Sequence, residues 1–247
     1  MDTWKYFDIT HAEHTICNPS SLEKFRRLVA LLRLRPNARV LELACGKGEF
    51  LAQLAEAYTI SAVGLDLSPY CIRDARALLA ERAPDADVTF LEMDGADYEP
   101  ETPHGFDLTV CLGASWIFDG HRGTLAALQQ MTRPGGQIVV GEPYWRQEPA
   151  PPYLEMAGMA RDDFGSHYEN VVSGQELGLE LLHTIVSSED DWDVYEGLQW
   201  YASERYARAN PDDPDVPQLV SRQREQQQEY LQYGRDTLGW AIYLFRN

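Results

Sequence analysis

The sequence has 247 residues, a formal net charge of −18 and 44% hydrophobic residues, which excludes a wholly disordered chain. The acidic balance argues against binding to nucleic-acid phosphates or to an anionic membrane surface. Because no apolar run could span a bilayer, no secretory signal is visible and the four cysteines form no Cys-x-x-Cys pair, we expect a cytoplasmic protein with reduced cysteines.

The first part of the chain predicts a lead-in segment and one helix. Residues 1–19 are polar and aromatic without a clear period, so we expect them to be irregular. Ser20 and Glu23 have the spacing of a capping box, which predicts a helix N-terminus there. Apolar residues then recur on one helical face up to Leu32.

Short apolar runs then alternate with helical stretches and turns. Five runs have the length and composition of strands, at 39–43, 60–65, 88–91, 106–112 and 137–141. Helices are predicted at about 50–58, 69–82 and 123–131, and a turn at 134–136. This alternation is typical of βαβ units, and therefore of a parallel sheet with helices on both faces.

The last hundred residues have a different pattern. Residues 147–180 are rich in Pro, Gly and acids and show weak periodicity. Two more strands are predicted at 181–186 and 239–245, and two helical stretches at 188–217 and 216–235. Because the final strand needs the earlier strands as partners, we expect one domain with helical insertions rather than two domains.

The most informative segment joins the first strand to the next helix. Gly46 and Gly48 there allow a sharp bend and close approach of a ligand. Asp66 ends the second strand, at a spacing that suits a carboxylate holding ribose hydroxyls, and Asp94 ends the third. An ordinary turn, a helix N-cap and an Asx-turn would explain each feature separately. The occurrence of the glycine turn and the two aspartates at three consecutive strand ends favours a shared ligand site.

These segments resemble the class I S-adenosylmethionine-dependent methyltransferases. The similar segments are Glu42–Gly48, Gly64–Ser68, Met93–Gly95 and Arg133–Gly136, and further segments around His14, Asn18, Gly141–Trp145 and Leu238–Ala241 resemble a bacterial group of unassigned substrate. The resemblance implies a doubly wound, mostly parallel seven-stranded α/β sheet of the Rossmann-like methyltransferase type, with an antiparallel last strand. The helical insertions fall in the C-terminal half. We divide this domain into an N-terminal lid and helix (1–35), a cofactor-binding core (36–146) and last strands with a helical cap (147–247).

The resemblance also implies S-adenosyl-L-methionine as cofactor and S-adenosyl-L-homocysteine as product. By position, the turn after the first strand would hold the methionine part, Asp66 the ribose, and Asp94 with Gly95 the adenine edge. The implied cofactor-binding residues are Glu42, Ala44, Gly46, Gly48, Asp66, Leu67, Asp94, Gly95, Leu112 and Gly113. Ala44 departs from the glycine that many family members carry.

A sulfonium methyl group is already activated, so the protein mainly orients the acceptor and excludes water. We expect direct in-line transfer to a small molecule, with a general base only if the acceptor arrives protonated. The candidate catalytic residues are His14, Glu142 and Tyr144, and the candidate substrate-pocket residues are Ser115, Trp116 and Trp145. Packing roles stay open for both tryptophans, and a buried hydrogen-bonding role stays open for Glu142.

Several alternatives remain open. A Rossmann-type NAD-dependent oxidoreductase would want a third Gly or Ala where Leu51 stands, and a non-catalytic S-adenosylmethionine-binding module would share the same fold. The spacing of His11, His14 and Cys17 could suit a metal ion, but no second ligand cluster follows, so we expect none. The aromatic residues of 192–201 predict either a cap over a small molecule or the core of the insertion.

Overall fold

The apolar runs form the strands of one sheet, and the computed structural model describes all residues, 1–247. The strands are β1 Ala38–Leu43, β2 Ile60–Asp66, β3 Asp87–Glu92, β4 Phe106–Leu112, β5 Thr132–Trp145, β6 Glu180–Val186 and β7 Leu238–Arg246. Their order in the sheet is β3-β2-β1-β4-β5-β7-β6. Strand β7 is antiparallel to both of its neighbours and all other pairs are parallel, which confirms the predicted fold class.

Nine helices of seven or more residues accompany the sheet. They are α1 Thr3–Thr10, α2 Leu22–Leu32, α3 Glu49–Ala57, α4 Pro69–Arg82, α5 His121–Met131, α6 Pro151–Ala157, α7 His167–Glu176, α8 Glu189–Ala209 and α9 Val216–Glu229. Short 3₁₀ turns follow β3 and β4, and a π-helical turn at Tyr230–Gly234 leads from α9 towards β7. None of the helices combines the length and the apolar composition that a membrane crossing would require.

The prediction of an irregular segment over residues 1–19 was wrong for Thr3–Thr10, which form α1. Asp2 caps this helix by accepting a hydrogen bond from the backbone N–H of Lys5 at 3.0 Å. Tyr6 and Ile9 of α1 pack against the fully buried Leu219 of α9. An isolated helix of eight residues is marginal in water, so this one depends on a partner that is distant in sequence.

Two other local predictions also need correction. The N-cap of α2 is Ser21 rather than Ser20, since the Ser21 hydroxyl accepts from the backbone N–H of Lys24 at 3.3 Å, whereas the Ser20 hydroxyl is buried without a partner. Because Ser20 and Ser21 are adjacent, the sequence pattern cannot tell which of them caps the helix. The segment 134–136 lies within β5 rather than in a turn before it, and the pairing of β5 with β4 shifts register between Phe106 and Leu108.

The centre of the sheet determines where a ligand can bind. Strand β4 is buried along its whole length, and β1 is buried except at Arg39. The chain leaves β1 towards β2 on one side, and β4 lies on the other side. In open α/β sheets, ligands bind beyond the carboxyl ends of the strands at this reversal of strand order.

Candidate active site

A cavity of about 520 Å³ lies beyond the carboxyl ends of β1, β2 and β4. Hydrophobic side chains make up most of its lining. Its walls come from the turns after these strands and after β3, from the N-terminal segment before α2, and from Tyr195 of α8. Residues far apart in the sequence therefore meet at the place where the sheet topology predicts a ligand.

The turn after β1 is held to the end of β2 by Asp66. The backbone N–H of Gly46 donates to Asp66 Oδ2 at 2.9 Å, and that of Ser68 donates to Asp66 Oδ1 at 2.8 Å. Both Ala44 and Gly46 have left-handed backbone angles, with φ of 53° and 54°. Burial raises the pKa of Asp66, although the two N–H donors oppose this shift. Each carboxylate oxygen accepts one hydrogen bond and keeps capacity for another.

Glu42, at the carboxyl end of β1, supplies a second carboxyl group to the same end of the cavity. Its side chain is buried, and Oε2 has no hydrogen-bond partner. Burial, with a smaller effect from the nearby Asp66 carboxylate, raises the pKa of Glu42 well above its usual range. Glu42 lines the cavity and no protein donor serves its carboxyl group, so this group can accept a hydrogen bond from a ligand.

Eight of the ten predicted cofactor-binding residues line this cavity. They are Glu42, Ala44, Gly46, Asp66, Leu67, Gly95, Leu112 and Gly113. Asp94 does not line it, and its carboxylate instead accepts from the backbone N–H of Ala96 at 2.9 Å and caps the following 3₁₀ turn. This is the Asx-type role that the sequence left open.

Gly48 also lies outside the cavity wall, and packing explains why it is glycine. Its φ is +76°, and an added Cβ would lie 2.8 Å from Ala75 Cβ and 2.9 Å from Phe90 Cζ. Gly48 is the residue that precedes α3 and lets this helix approach α4 and β3 closely. A glycine next to a ligand-binding turn can therefore be required by the packing of the helix and not by the ligand.

Of the three predicted pocket residues, Trp116 alone lines the cavity, with 75% of its surface exposed. The Ser115 hydroxyl points away and donates to Glu142 Oε1 at 2.9 Å. Trp145 is buried, donates from Nε1 to the carbonyl oxygen of Arg161 at 2.8 Å, and packs edge-on against Phe164. Trp145 is therefore placed as a packing residue, which was the alternative left open for it.

The three predicted catalytic residues all lie outside the cavity lining. His14 Nε2 lies 2.8 Å from the carbonyl oxygen of Tyr195. Glu142 is buried beside Ser115, and Tyr144 packs on His167 and on the backbone of Gly239. Glu142 and Tyr144 lie on β5, one strand beyond the reversal of strand order, so their side chains do not reach the cavity.

The N-terminal segment, which the sequence predicts as a lid, supplies further lining residues. They are Trp4, Phe7, Asp8, His11, Thr15, Ile16, Cys17 and Asn18. Two contacts tie this segment to the core: Asn18 Nδ2 donates to the carbonyl oxygen of Leu112 at 3.2 Å, and Lys47 Nζ donates to that of His11 at 2.8 Å. The concentration of aromatic residues in a short segment was the available sequence signal.

The helical insertion contributes one residue to the cavity wall. Tyr195 lines the cavity, whereas Trp192 is buried and Trp200 packs against Tyr230. Tyr201 is 56% exposed. Most of the aromatic residues predicted as cap or core are thus core or surface.

The His and Cys residues of the N-terminal segment form no cluster of three or more potential metal ligands, among themselves or with Asp and Glu.

Comparisons with known proteins agree with this geometry. A family model described as a methyltransferase domain matches residues 40–136. The chain is 32% identical to the uncharacterized protein YjhP of Escherichia coli K12 over 98% of both chains. It superposes with a TM-score of 0.91 and 33% identity on a SAM-dependent methyltransferase from Geobacter sulfurreducens in complex with S-adenosyl-L-homocysteine, covering 98% of this chain and 97% of that one.

A third similarity is confined to part of the chain. A trans-aconitate 2-methyltransferase from Deinococcus radiodurans is 37% identical over 120 residues, which are 48% of this chain and 43% of that protein. The full-length similarities, together with the matching fold and the cavity at the reversal of strand order, decide the family and its cofactor. The chain belongs to the S-adenosyl-L-methionine-dependent methyltransferases.

Proposed function

We propose that this enzyme transfers the methyl group directly, by in-line displacement, to a small acceptor bound in the apolar part of the cavity. The observation that carries the proposal is the composition of the cavity. Its wall combines the carboxyl groups of Glu42 and Asp66 with aromatic side chains of the N-terminal segment and with Trp116. A polar cofactor and an apolar acceptor can therefore bind side by side, shielded from water.

The residues present fit S-adenosylmethionine. The Glu42 carboxyl group would take a donor from the methionine part of the cofactor, and the spare acceptor capacity of Asp66 would take the ribose hydroxyls. Leu67 and Gly95 would face the adenine ring, and Gly113 would leave room beside the reacting centre. When bound, the cofactor supplies a methyl group that is activated by its positively charged sulfur.

The charges on the cavity wall indicate the class of acceptor. Its single lysine, Lys47, lies 3.6 Å from the Asp74 carboxylate and donates to the carbonyl oxygen of His11. No arginine lines the cavity. A molecule with several carboxylates needs cationic partners once it is buried. We therefore propose a neutral, largely apolar or aromatic acceptor, unlike the tricarboxylate named for the trans-aconitate 2-methyltransferases.

Calorimetric titration and product detection test this proposal. Wild-type protein should bind S-adenosyl-L-homocysteine and not NAD, and should release S-adenosyl-L-homocysteine when offered a panel of small phenols and alcohols with S-adenosylmethionine. A matched panel of di- and tricarboxylates, including trans-aconitate, should give only background release. Preferential turnover of the carboxylates would overturn the proposed acceptor class, and the absence of turnover with every acceptor would favour the non-catalytic module.

A further inference from the structure

Two side chains that are distant in sequence meet on the cavity wall. His11 follows the last residue of α1, and Tyr195 lies in α8. The distance from His11 Nε2 to the Tyr195 hydroxyl oxygen is 3.2 Å, and both residues line the cavity. The predicted candidate, His14, is instead turned towards the Tyr195 backbone. The tertiary structure therefore points to a different histidine from the one chosen by sequence.

The surrounding hydrogen bonds determine the direction of the His11–Tyr195 contact. His11 Nδ1 lies 2.9 Å from the Thr10 hydroxyl oxygen, which lies 3.4 Å from the carbonyl oxygen of Phe7. The Thr10 hydroxyl can donate to Phe7, and His11 Nδ1–H can then donate to Thr10. The Tyr195 hydroxyl has no protein partner other than His11 Nε2, so it donates to that nitrogen. In the opposite tautomer the Tyr195 proton would have no acceptor in the protein.

This direction leaves the lone pairs of the Tyr195 hydroxyl oxygen free on the side of the cavity. We propose that Tyr195 is a catalytic residue whose hydroxyl oxygen accepts the proton of an acceptor hydroxyl group, and that His11 is a positioning residue that takes up the Tyr195 proton. The inference rests on the proposed function and deepens it, because it names a hydroxyl as the methylated group.

The transfer balances in atoms and charge. The oxygen of the acceptor forms a bond to the methyl carbon, and the methyl–sulfur electron pair stays on sulfur. The acceptor O–H proton moves to the Tyr195 oxygen, while the Tyr195 proton moves to His11 Nε2. The positive charge that begins on sulfur therefore ends on the His11 imidazole, where Thr10 and Tyr195 hold the ring by one hydrogen bond to each nitrogen.

A hydroxyl acceptor suits this pair better than an amine does. Burial, with contributions from His14 and Lys47, lowers the pKa of His11 to about 3, so the ring is neutral and a weak base. A hydroxyl oxygen becomes strongly acidic as it is methylated, and a weak base suffices to take its proton. A neutral amine can be methylated without a base, and an ammonium ion would need a stronger one than His11.

The variant Tyr195→Phe tests the inference because it keeps the ring that packs against His14 and Trp192 and removes only the hydroxyl. Tyr201→Phe, on the exposed face of the same helix, is the matched control. The probes are S-adenosyl-L-homocysteine and sinefungin, which carries an amine where the transferred methyl group would be. With no acceptor bound, that amine should donate to the Tyr195 oxygen through a water in the acceptor's place, so Tyr195→Phe should lower the affinity for sinefungin relative to S-adenosyl-L-homocysteine by about tenfold.

The outcomes separate the two proposals. If wild-type protein does not bind S-adenosyl-L-homocysteine at millimolar concentration, the proposed function fails. If it binds both ligands and the affinity ratio is the same in Tyr195→Phe and Tyr201→Phe, the role of Tyr195 is overturned. The positioning role of His11 has a separate readout in the ¹⁵N shifts of its imidazole, assigned with His11→Gln. We expect the proton on Nδ1, and a proton on Nε2 would contradict the role of His11.

Discussion

Glu142 and His121 face each other inside the fold, with Glu142 Oε2 3.9 Å from His121 Nδ1 and no hydrogen-bond partner for either atom. His121 Nε2 lies 3.0 Å from the carbonyl oxygen of Asn170, which places its proton on Nε2. The two unpaired atoms are too far apart for a hydrogen bond, and an uncharged Glu142 is the form that such a buried site favours. Burial raises the pKa of Glu142 to about 7 and lowers that of His121 to about 4, in agreement with a neutral pair.

The Glu142–His121 pair predicts a stability that falls as the pH rises. A carboxyl group with a raised folded-state pKa favours the folded state most below its unfolded pKa, near 4.5, and this contribution is lost as the pH rises through about 7. Glu142→Gln removes this titration and keeps an acceptor for the Ser115 hydroxyl. Urea unfolding at pH 5 and pH 8 should show the wild type losing about 3 kcal/mol more than the variant between these values. Equal losses would contradict a buried, protonated Glu142.

Gly48 predicts a stability effect that separates steric overlap from backbone strain. Gly48→Ala places Cβ against Ala75 and Phe90, whereas Gly158→Ala, at a φ of +65°, meets nothing within 4 Å. Both variants carry the left-handed penalty, so the steric overlap should cost Gly48→Ala a further ~1–3 kcal/mol. The midpoints of urea unfolding measure this difference. Equal midpoints would show that α3 moves away from α4 without cost.

Asp66 and Asp94 predict opposite results in cofactor binding, although Asp66 ends β2 and Asp94 follows β3 at the same edge of the sheet. Asp66→Ala removes a carboxylate on the cavity wall and should weaken binding of S-adenosyl-L-homocysteine by ~1–3 kcal/mol. Asp94→Ala removes a cap of a 3₁₀ turn and should change the affinity by less than about threefold. Calorimetry on both variants checks the assignment. A larger loss for Asp94→Ala would place the adenine edge on that carboxylate after all.

The two tryptophans predict a split between catalysis and stability. Trp116→Ala removes an exposed side chain from the cavity wall, so it should raise the Michaelis constant for the acceptor without lowering the unfolding midpoint. Trp145→Phe removes the Nε1–H that donates to the carbonyl oxygen of Arg161. This change should lower the free energy of unfolding by ~1–3 kcal/mol and leave the Michaelis constant unchanged. The reverse pattern would restore Trp145 as a pocket residue.

The strands and the place of the site could be predicted from local pattern. Strand-length apolar runs and the spacing of Gly46 and Asp66 are patterns of residues close in sequence. The structure places Gly46 and Asp66 on the cavity wall. The same local reasoning was wrong for Thr3–Thr10, because α1 depends on contacts with α9. It also could not assign Gly48 to packing, since the atoms that require a glycine there belong to α4 and β3.

By itself the sequence determined the fold class and the end of the sheet at which a ligand binds, because hydrophobic period and turn chemistry are local properties of the chain, and its resemblance to known methyltransferases indicated the family. Tertiary structure alone decided which side chains face the ligand. It brought His11 to Tyr195 and gathered Cys17, Cys45 and Cys71 on one wall, while it turned Glu142 and Trp145 away. Side-chain placement of this kind follows from the packing of helices that are distant in sequence, which no local pattern records.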